Sequence, residues 1–273
     1  MFDAILKYEF LQNALIIGVL SAVICGIIGV LITEKRILML SGGIAHTAYG
    51  GVGLGYLIGI EPIFGALIFS VASSVVIGSI NRKNKIQSDI IISLLWSLGM
   101  ALGITFTGLM SGYPPDMNSY LFGNILSVSR DDIVILSILS LITLLVFVIF
   151  QNDWKAYLFD TAFAEISGIN TALLEYTLLI LVALCVVILI KAVGIILCLA
   201  LLSAPCACAS LLSKRLNTRI ILSIVFTMIF NIIGLVLSYY LGVASGATIV
   251  LVAVITYFIL LAISGTLSKQ KIK

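Results

Sequence analysis

Residues 220–268 read IILSIVFTMIFNIIGLVLSYYLGVASGATIVLVAVITYFILLAISGTLS, and this stretch decides the fold of the chain. It contains no Asp, Glu, Lys or Arg. One helix needs about 20 apolar residues to cross the hydrocarbon of a bilayer, so the run accommodates two membrane spans. Its apolar residues do not alternate with polar ones, which favours helices over a membrane β-barrel. The sequence therefore predicts an all-α, polytopic membrane protein.

The composition extends this prediction to the whole chain. Of 273 residues, 62% are apolar and 10% are charged, whereas a soluble domain carries about 25% charged residues. A second run without Asp, Glu, Lys or Arg covers 37–60. The net charge of +3 reflects short basic loops and requires no nucleic-acid partner. We expect a single transmembrane domain over residues 1–273, embedded in the lipid bilayer.

The apolar runs predict nine membrane spans, and the basic residues between them predict the orientation. The spans are placed near 13–33, 37–60, 62–80, 88–109, 132–150, 172–190, 192–212, 220–240 and 246–266. Twelve basic residues fall on one side: Lys35, Arg36, Arg82, Lys83, Lys85, Lys155, Lys214, Arg215, Arg219, Lys269, Lys271 and Lys273. Three fall on the other: Lys7, Arg130 and Lys191. We expect the first side in the cytoplasm, with the N-terminus outside and the C-terminus inside.

Two connections are longer than the rest. The outer one, 111–131, carries Pro114, Pro115 and Asp116, and the inner one is 151–171. The sequence has no Gly-rich loop followed by Lys and Ser or Thr, so we expect no nucleotide site on this chain. It also lacks a nucleophile–base–acid constellation, so we do not expect an enzyme.

The strongest candidate for chemistry is His46, the only histidine in the chain. It lies near the middle of the second predicted span, and an ionisable residue inside a span is a functional hypothesis by default. Neutral imidazole is a ligand for zinc, manganese or iron. The alternative is a structural histidine bonded to a neighbouring helix carbonyl, and the sequence leaves both interpretations open.

Four glycines flank His46 in the predicted span: Gly42, Gly43, Gly50 and Gly51. Such density lets another backbone approach closely. It also weakens the helix, by about 1 kcal/mol per Gly relative to Ala in water. Both properties suit a helix that lines a translocation path. Plain helix packing is the alternative for each glycine.

Two later spans carry further candidates for the translocation path. Pro205 is expected to kink the seventh span. Cys206 and Cys208 could share a soft metal only in a distorted helix, because residues two apart on a helix do not face each other. Asn231, in the eighth span, is expected to form an interhelical hydrogen bond. All five cysteines of the chain fall within predicted spans: Cys25, Cys185, Cys198, Cys206 and Cys208. This placement argues against a disulfide framework.

Several short strings, in order along the chain, resemble the membrane permease subunit of ATP-binding-cassette importers for zinc, manganese and related divalent metals. They are FLQNAL at 10–15, GIAH at 43–46, GGV at 50–52, SYLFGNIL at 119–126, SRD at 129–131, FD at 159–160 with Ala164 and Gly168, SAP at 203–205, SYYL at 238–241 and SGATIV at 245–250. Each string is short, but their number and order make the resemblance specific.

The resemblance implies a permease that moves a divalent metal ion (zinc, manganese or iron) into the cytoplasm by alternating access, in the cell membrane of a prokaryote. It implies a homodimer or pseudo-dimer, two cytoplasmic ATPase subunits that hydrolyse ATP, and an extracytoplasmic metal-binding protein. No cofactor would be permanently bound. The segment near 154–170 would couple the chain to the ATPase, through Phe159, Asp160, Ala164 and Gly168.

One departure from the family pattern concerns the expected metal site. Many members carry an Asp four residues before the histidine, on the same helix face, and here that position is Gly42. Gly242 and Ala244, before the last string, also depart from the pattern. Two alternatives remain open: a permease of the same architecture for a metal chelate or cobalamin-like compound, and a secondary transporter. The latter would usually need carboxylates inside the spans.

Overall fold

The computed structural model describes residues 8–83, 88–110, 123, 125 and 128–270. Within these residues eleven helices follow one another: α1 Glu9–Glu34, α2 Leu38–Ile58, α3 Pro62–Lys83, α4 Ser88–Gly108, α5 Arg130–Ile149, α6 Gln151–Phe159, α7 Thr161–Ile166, α8 Thr171–Val193, α9 Ile195–Leu212, α10 Leu216–Leu241 and α11 Ser245–Gln270. The prediction of an all-α polytopic bundle is confirmed.

Eight of these helices are long and apolar enough to cross a membrane: α1, α3, α4, α5, α8, α9, α10 and α11. The remaining predicted span corresponds to α2, which has 21 residues. At 1.5 Å per residue this length reaches about 31 Å, the thickness of the hydrocarbon core. The glycines and His46 make α2 less apolar than its neighbours. A ninth span therefore stays a prediction, and it rests on α2.

Local sequence explains where the helices begin and end. Ser129 begins α5 with a capping box, in which its hydroxyl accepts from the Asp132 amide and the Asp132 carboxylate accepts from the Ser129 amide. Gly194, at φ 85°, separates α8 from α9. Gly59 and Gly242 end α2 and α10 in the left-handed conformation, which costs glycine little.

One deeply buried part of the bundle is formed by α1, α8 and α9. Their buried side chains are mainly aliphatic, and the cysteines of these helices lie among them. The helix α2 packs between α3 and α4, while α1 packs against α10 and α5, and α11 against α9 and α10. Large apolar side chains on α4, α5, α10 and α11 remain exposed, for example Leu94, Leu141, Ile221 and Phe258. These faces suit contact with lipid.

Ion pairs mark the two ends of the bundle. At the end of the bundle that carries the α1–α2 turn, the pairs are Arg82–Glu175 and Arg219–Glu34. At the opposite end of the bundle, they are Lys191–Asp132 and Arg130–Glu9. This arrangement agrees with the predicted sorting of the basic residues into two groups. Which end faces the cytoplasm stays a prediction.

The two long connections differ in what the structure describes. The inner one, 151–171, is largely helical, because α6 and α7 occupy most of it. Pro114, Pro115 and Asp116 of the outer one lie outside the described residues, as does most of the string at 119–126.

Candidate translocation path and coupling surface

His46 lies in the middle of α2, against two side chains of α4. Its ring stacks on the Trp96 indole, with ring centroids 4.0 Å apart and planes 16° apart. Its Nδ1 lies 3.1 Å from the Met100 sulfur. Between residues 40 and 53, His46 is the one residue that is not buried. The bundle thus leaves an otherwise enclosed helix accessible at its imidazole.

Gly42, at the position where the resemblance implied an acid, lies under the same indole. A Cβ at this position would come within 2.9 Å of the Trp96 ring, a distance that real Cβ contacts do not show. An Asp at position 42 would therefore require Trp96 to move. The Trp96 ring thus occupies the volume that a side chain at position 42 would need.

The other predicted path glycines bring α2 close to its neighbours. A Cβ at Gly43 would come within 2.7 Å of Ile92, and one at Gly50 within 2.7 Å of the Gly99 carbonyl on α4. Gly51 meets the backbone of Gly65 on α3. These contacts support the packing interpretation for Gly43, Gly50 and Gly51, and their role in lining a path stays a prediction.

Pro205, Cys206 and Cys208 are all buried in α9, which continues on both sides of the proline. The Cys206 sulfur lies 3.1 Å from the Ser223 hydroxyl on α10, and it also points to the Cys25 carbonyl at 3.8 Å. All five cysteines are free and buried. Within the described residues, no group of three or more His, Cys, Asp or Glu side chains could hold a metal ion.

Asn231 forms the expected interhelical hydrogen bond. From α10, its side-chain amide donates to the Gly18 carbonyl at 2.9 Å and to the Ser21 hydroxyl at 3.3 Å, both on α1. The side chain is buried. This geometry joins α10 to α1 and gives Asn231 a structural role; a role in the path stays a prediction.

The coupling candidates lie on α6 and α7, outside the apolar part of the bundle. The Asp160 carboxylate begins α7 by accepting from the Ala162 and Phe163 amides at 2.9 and 3.2 Å. Ala164 is fully buried, whereas Phe159 is 92% exposed. Gly168, at φ 81°, turns the chain towards α8. The cap, the buried alanine and the glycine turn together hold a short helix against the bundle.

Three apolar side chains of this segment are exposed: Phe159, Phe163 and Ile166. We call them the apolar coupling patch. Beside Phe159 runs a groove of about 690 Å³ whose lining includes Lys155, Lys214 and Arg215. A charged, groove-lined end of the bundle is a poor place for lipid contact, so the patch is available to a protein partner.

Lys35 connects this segment to the turn between α1 and α2. Its ammonium donates to the Thr161 hydroxyl at 2.9 Å and to the Tyr157 carbonyl at 3.1 Å. It also lies 3.5 Å from the centroid of the Tyr157 ring. Burial lowers the pKa of Lys35, although Glu175 opposes the shift, and burial raises the pKa of the Tyr157 phenol.

A secondary transporter usually needs buried carboxylates to use an ion gradient. Within the described residues, the buried polar side chains are Ser, Thr and Asn, and none is an acid. Acidic side chains of the described residues lie at the ends of the helices instead, as in the Lys191–Asp132 pair.

Trp96 and Met100 are the site residues that the sequence analysis missed. They lie one helical turn apart in the string WSLGM at 96–100, so they share a face of α4. Their contact with His46 joins residues 50 and 54 positions apart, which periodicity alone does not reveal. Only Gly42, at the position where the resemblance implied an acid in many members, indicated that the surroundings of His46 differ from the expected pattern.

Comparisons with known proteins agree with this architecture. The model of the ABC 3 transport family matches residues 7–264. The membrane protein slr2045 of Synechocystis is 39% identical over 257 residues, covering 94% of this chain and 92% of that protein. The manganese transport system membrane protein MntC of Listeria monocytogenes is 35% identical, covering 94% of this chain and 91% of that protein.

A solved structure gives the same result in three dimensions. PsaBC from Streptococcus pneumoniae, in complex with Fab, matches with a TM-score of 0.84 and 32% identity, covering 95% of this chain and 93% of that chain. Both the family model and the relatives extend over nearly the whole sequence. This chain belongs to the ABC 3 transport family.

Proposed function

We propose that this chain is the permease subunit of an ATP-binding-cassette importer that moves a divalent metal ion, zinc, manganese or iron, into the cytoplasm by alternating access. The observation that carries the proposal is the family match over residues 7–264, together with an accessible imidazole inside an enclosed helix. A relative that is 35% identical is named a manganese transport protein. Residues 1–273 act as one permease domain.

The proposed orientation places the α1–α2 turn and the coupling segment in the cytoplasm, in the membrane of a prokaryotic cell. Twelve basic residues on this side against three on the other support it. Lys35 of the turn bonds Thr161 of the coupling segment, so both belong to the same end of the bundle.

The apolar coupling patch is the proposed contact with the ATPase. Phe159, Phe163 and Ile166 offer apolar anchors, and Lys155, Lys214 and Arg215 surround the neighbouring groove. A complementary partner has an apolar pocket with an acidic rim. Movement of α7 would reach α2 through Lys35, because Lys35 holds Thr161 and lies in the short turn between α1 and α2.

The remaining partners are those that the resemblance to metal importers implies. This chain does not hydrolyse ATP; two cytoplasmic ATPase subunits do. Two copies of the permease form a homodimer, and an extracytoplasmic metal-binding protein delivers the ion.

The proposal is tested by metal uptake in cells that lack their own importer, with the chain expressed alone, with its ATPase, or with an ATPase that cannot hydrolyse ATP. Uptake only with the active ATPase is expected. Uptake that does not depend on the ATPase would contradict the proposal, and competition by a metal chelate but not by the free ion would favour the chelate alternative.

The contact with the ATPase has its own test. Phe159→Ala should weaken co-purification of the ATPase by about tenfold or more, as expected for loss of a buried aromatic anchor. The matched control is Phe64→Ala, because Phe64 is 57% exposed at the other end of the bundle. Equal loss in both variants would exclude the coupling patch as the contact.

A further inference from the structure

The imidazole of His46 and the thioether of Met100 converge on one point between α2 and α4. Their nitrogen and sulfur atoms lie 3.1 Å apart. A tetrahedral zinc ion, with Zn–N of about 2.1 Å and a Zn–thiolate distance of about 2.3 Å, separates a nitrogen and a sulfur ligand by about 3.6 Å, and a neutral thioether binds no closer than a thiolate. A displacement of about half an ångström by the flexible Met100 side chain would therefore admit an ion.

The point between His46 and Met100 is partly exposed, whereas the surrounding residues of α2 are buried. Residues 40–45 and 47–53 of α2 are buried, whereas His46, Trp96 and Met100 are all partly exposed. An ion that travels along this face can reach the nitrogen and the sulfur, and the buried cysteines of α9 lie elsewhere.

Among the residues that the structure describes, no buried side chain is a carboxylate. Gly42 carries no carboxylate, and the Trp96 ring fills the space beside it. Carboxylate oxygens suit manganese, while thioether sulfur suits softer ions. Selectivity between divalent metals depends on ligand type and geometry rather than on raw affinity, and thioether sulfur is among the ligands that select zinc.

We infer that His46 and Met100 together form a nitrogen–thioether contact site for the transported ion, and that this site selects zinc over manganese. The inference rests on the proposed function and names its substrate. His46 supplies the nitrogen from α2, Met100 supplies the sulfur from α4, and Trp96 fixes the imidazole plane by stacking. One copy supplies two ligands, so water or a second copy completes the shell.

The direct test is zinc-edge X-ray absorption on the purified full-length chain, labelled with selenomethionine and loaded with an equimolar amount of zinc. The label distinguishes the six methionines from the five cysteines, because only a methionine places selenium next to the metal. We expect a selenium shell that disappears in Met100→Leu and persists in the control Met228→Leu. Met228 lies on α10, which packs against α1, α9 and α11.

Binding by competition completes the test. Zinc should displace manganese from the chain, and Met100→Leu should lower zinc affinity by at least about tenfold, as removal of a ligand or its partner does, without a comparable change for manganese. A shell of nitrogen and oxygen alone, a selenium shell that persists in Met100→Leu, or no bound zinc would each overturn the inference.

These failures are separable from failure of the proposed function. ATPase-dependent uptake without a selenium shell would refute the His46–Met100 site and leave the importer intact. A selenium shell in a chain whose uptake ignores the ATPase would do the reverse.

Discussion

Two groups of soft ligand atoms lie inside the bundle, and they differ in access. The α2–α4 seam is formed by His46, Trp96 and Met100, all partly exposed. The cysteine core consists of Cys25, Cys185, Cys198 and Cys206, all fully buried. In the seam the imidazole and the thioether converge on one point, whereas in the core the Cys206 sulfur contacts Ser223 and the Cys25 carbonyl. The two regions therefore differ in solvent accessibility rather than in the presence of soft ligand atoms, and a site that takes up an ion needs both.

The physical reason lies in how the helices pack. Around the cysteine core, α1, α8 and α9 bury aliphatic side chains on all sides, and a thiolate there would lose its hydration without a compensating charge. Along the seam, small residues let α2 and α4 approach closely, yet the ring of His46 extends to the edge of the contact. Close backbone packing and an accessible side chain thus coexist on one helix.

The largest expected effect is on metal uptake, which should depend on the α2–α4 seam and not on the cysteine core. His46→Ala should reduce metal uptake by at least about tenfold, since loss of a ligand costs at least as much as loss of its supporting partner. The control is Cys198→Ala in the buried part of α9, which should keep uptake within about twofold. Uptake and membrane assembly would be measured together. Normal uptake with His46→Ala would return this histidine to a structural role.

The next effect probes the close packing of the seam. A Cβ at Gly99 would collide with the backbone of His46 and Thr47, so Gly99→Ala should lower the free energy of unfolding by about 1–3 kcal/mol. Gly108→Ala on the same helix is the control, because nothing lies within 4 Å of its Cβ position. Thermal unfolding in detergent would measure both. An equally stable Gly99→Ala variant would show that the helices are looser than described.

The smallest effect concerns Lys35, which joins the seam helix α2 to the coupling segment. Burial lowers the pKa of Lys35 in the folded chain below the ordinary 10.5. Between that lowered pKa and 10.5, the unfolded chain therefore binds more protons than the folded chain. Stability of the wild type should therefore rise with pH in that window, relative to Lys35→Arg, whose guanidinium stays charged. Unfolding of both variants across this range would measure the difference. Parallel stability curves would contradict the buried position of the ammonium.

Much of this fold could be predicted because its determinants are local. Uncharged runs such as 220–268 place the helices, and basic residues at their ends sort them into two groups. The second span was harder to establish: the glycines that allow α2 to pack also lower its hydropathy. The coupling role of the segment near 154–170, expected from the resemblance, stays a prediction. The Asp160 cap that begins α7 is local, whereas the Lys35 contacts with Tyr157 and Thr161 join residues far apart in sequence.

The site was predicted only in part, for the same reason. His46 is conspicuous as the only histidine of the chain, and Gly42 showed that the expected acid was missing. The contacts of Trp96 and Met100 with His46 arise from packing between α2 and α4. No periodicity along one helix encodes them, so the sulfur ligand became apparent only with the fold.

The most direct test of the account is a comparison of thiol alkylation with and without zinc in a Met100→Cys variant, with each cysteine quantified by mass spectrometry. We expect the introduced cysteine to react faster than the buried native Cys206, zinc to protect it, and His46→Ala to remove this protection. Equal alkylation at position 100 with and without zinc, or zinc protection confined to Cys206, would contradict the claim that the ion contacts the α2–α4 seam.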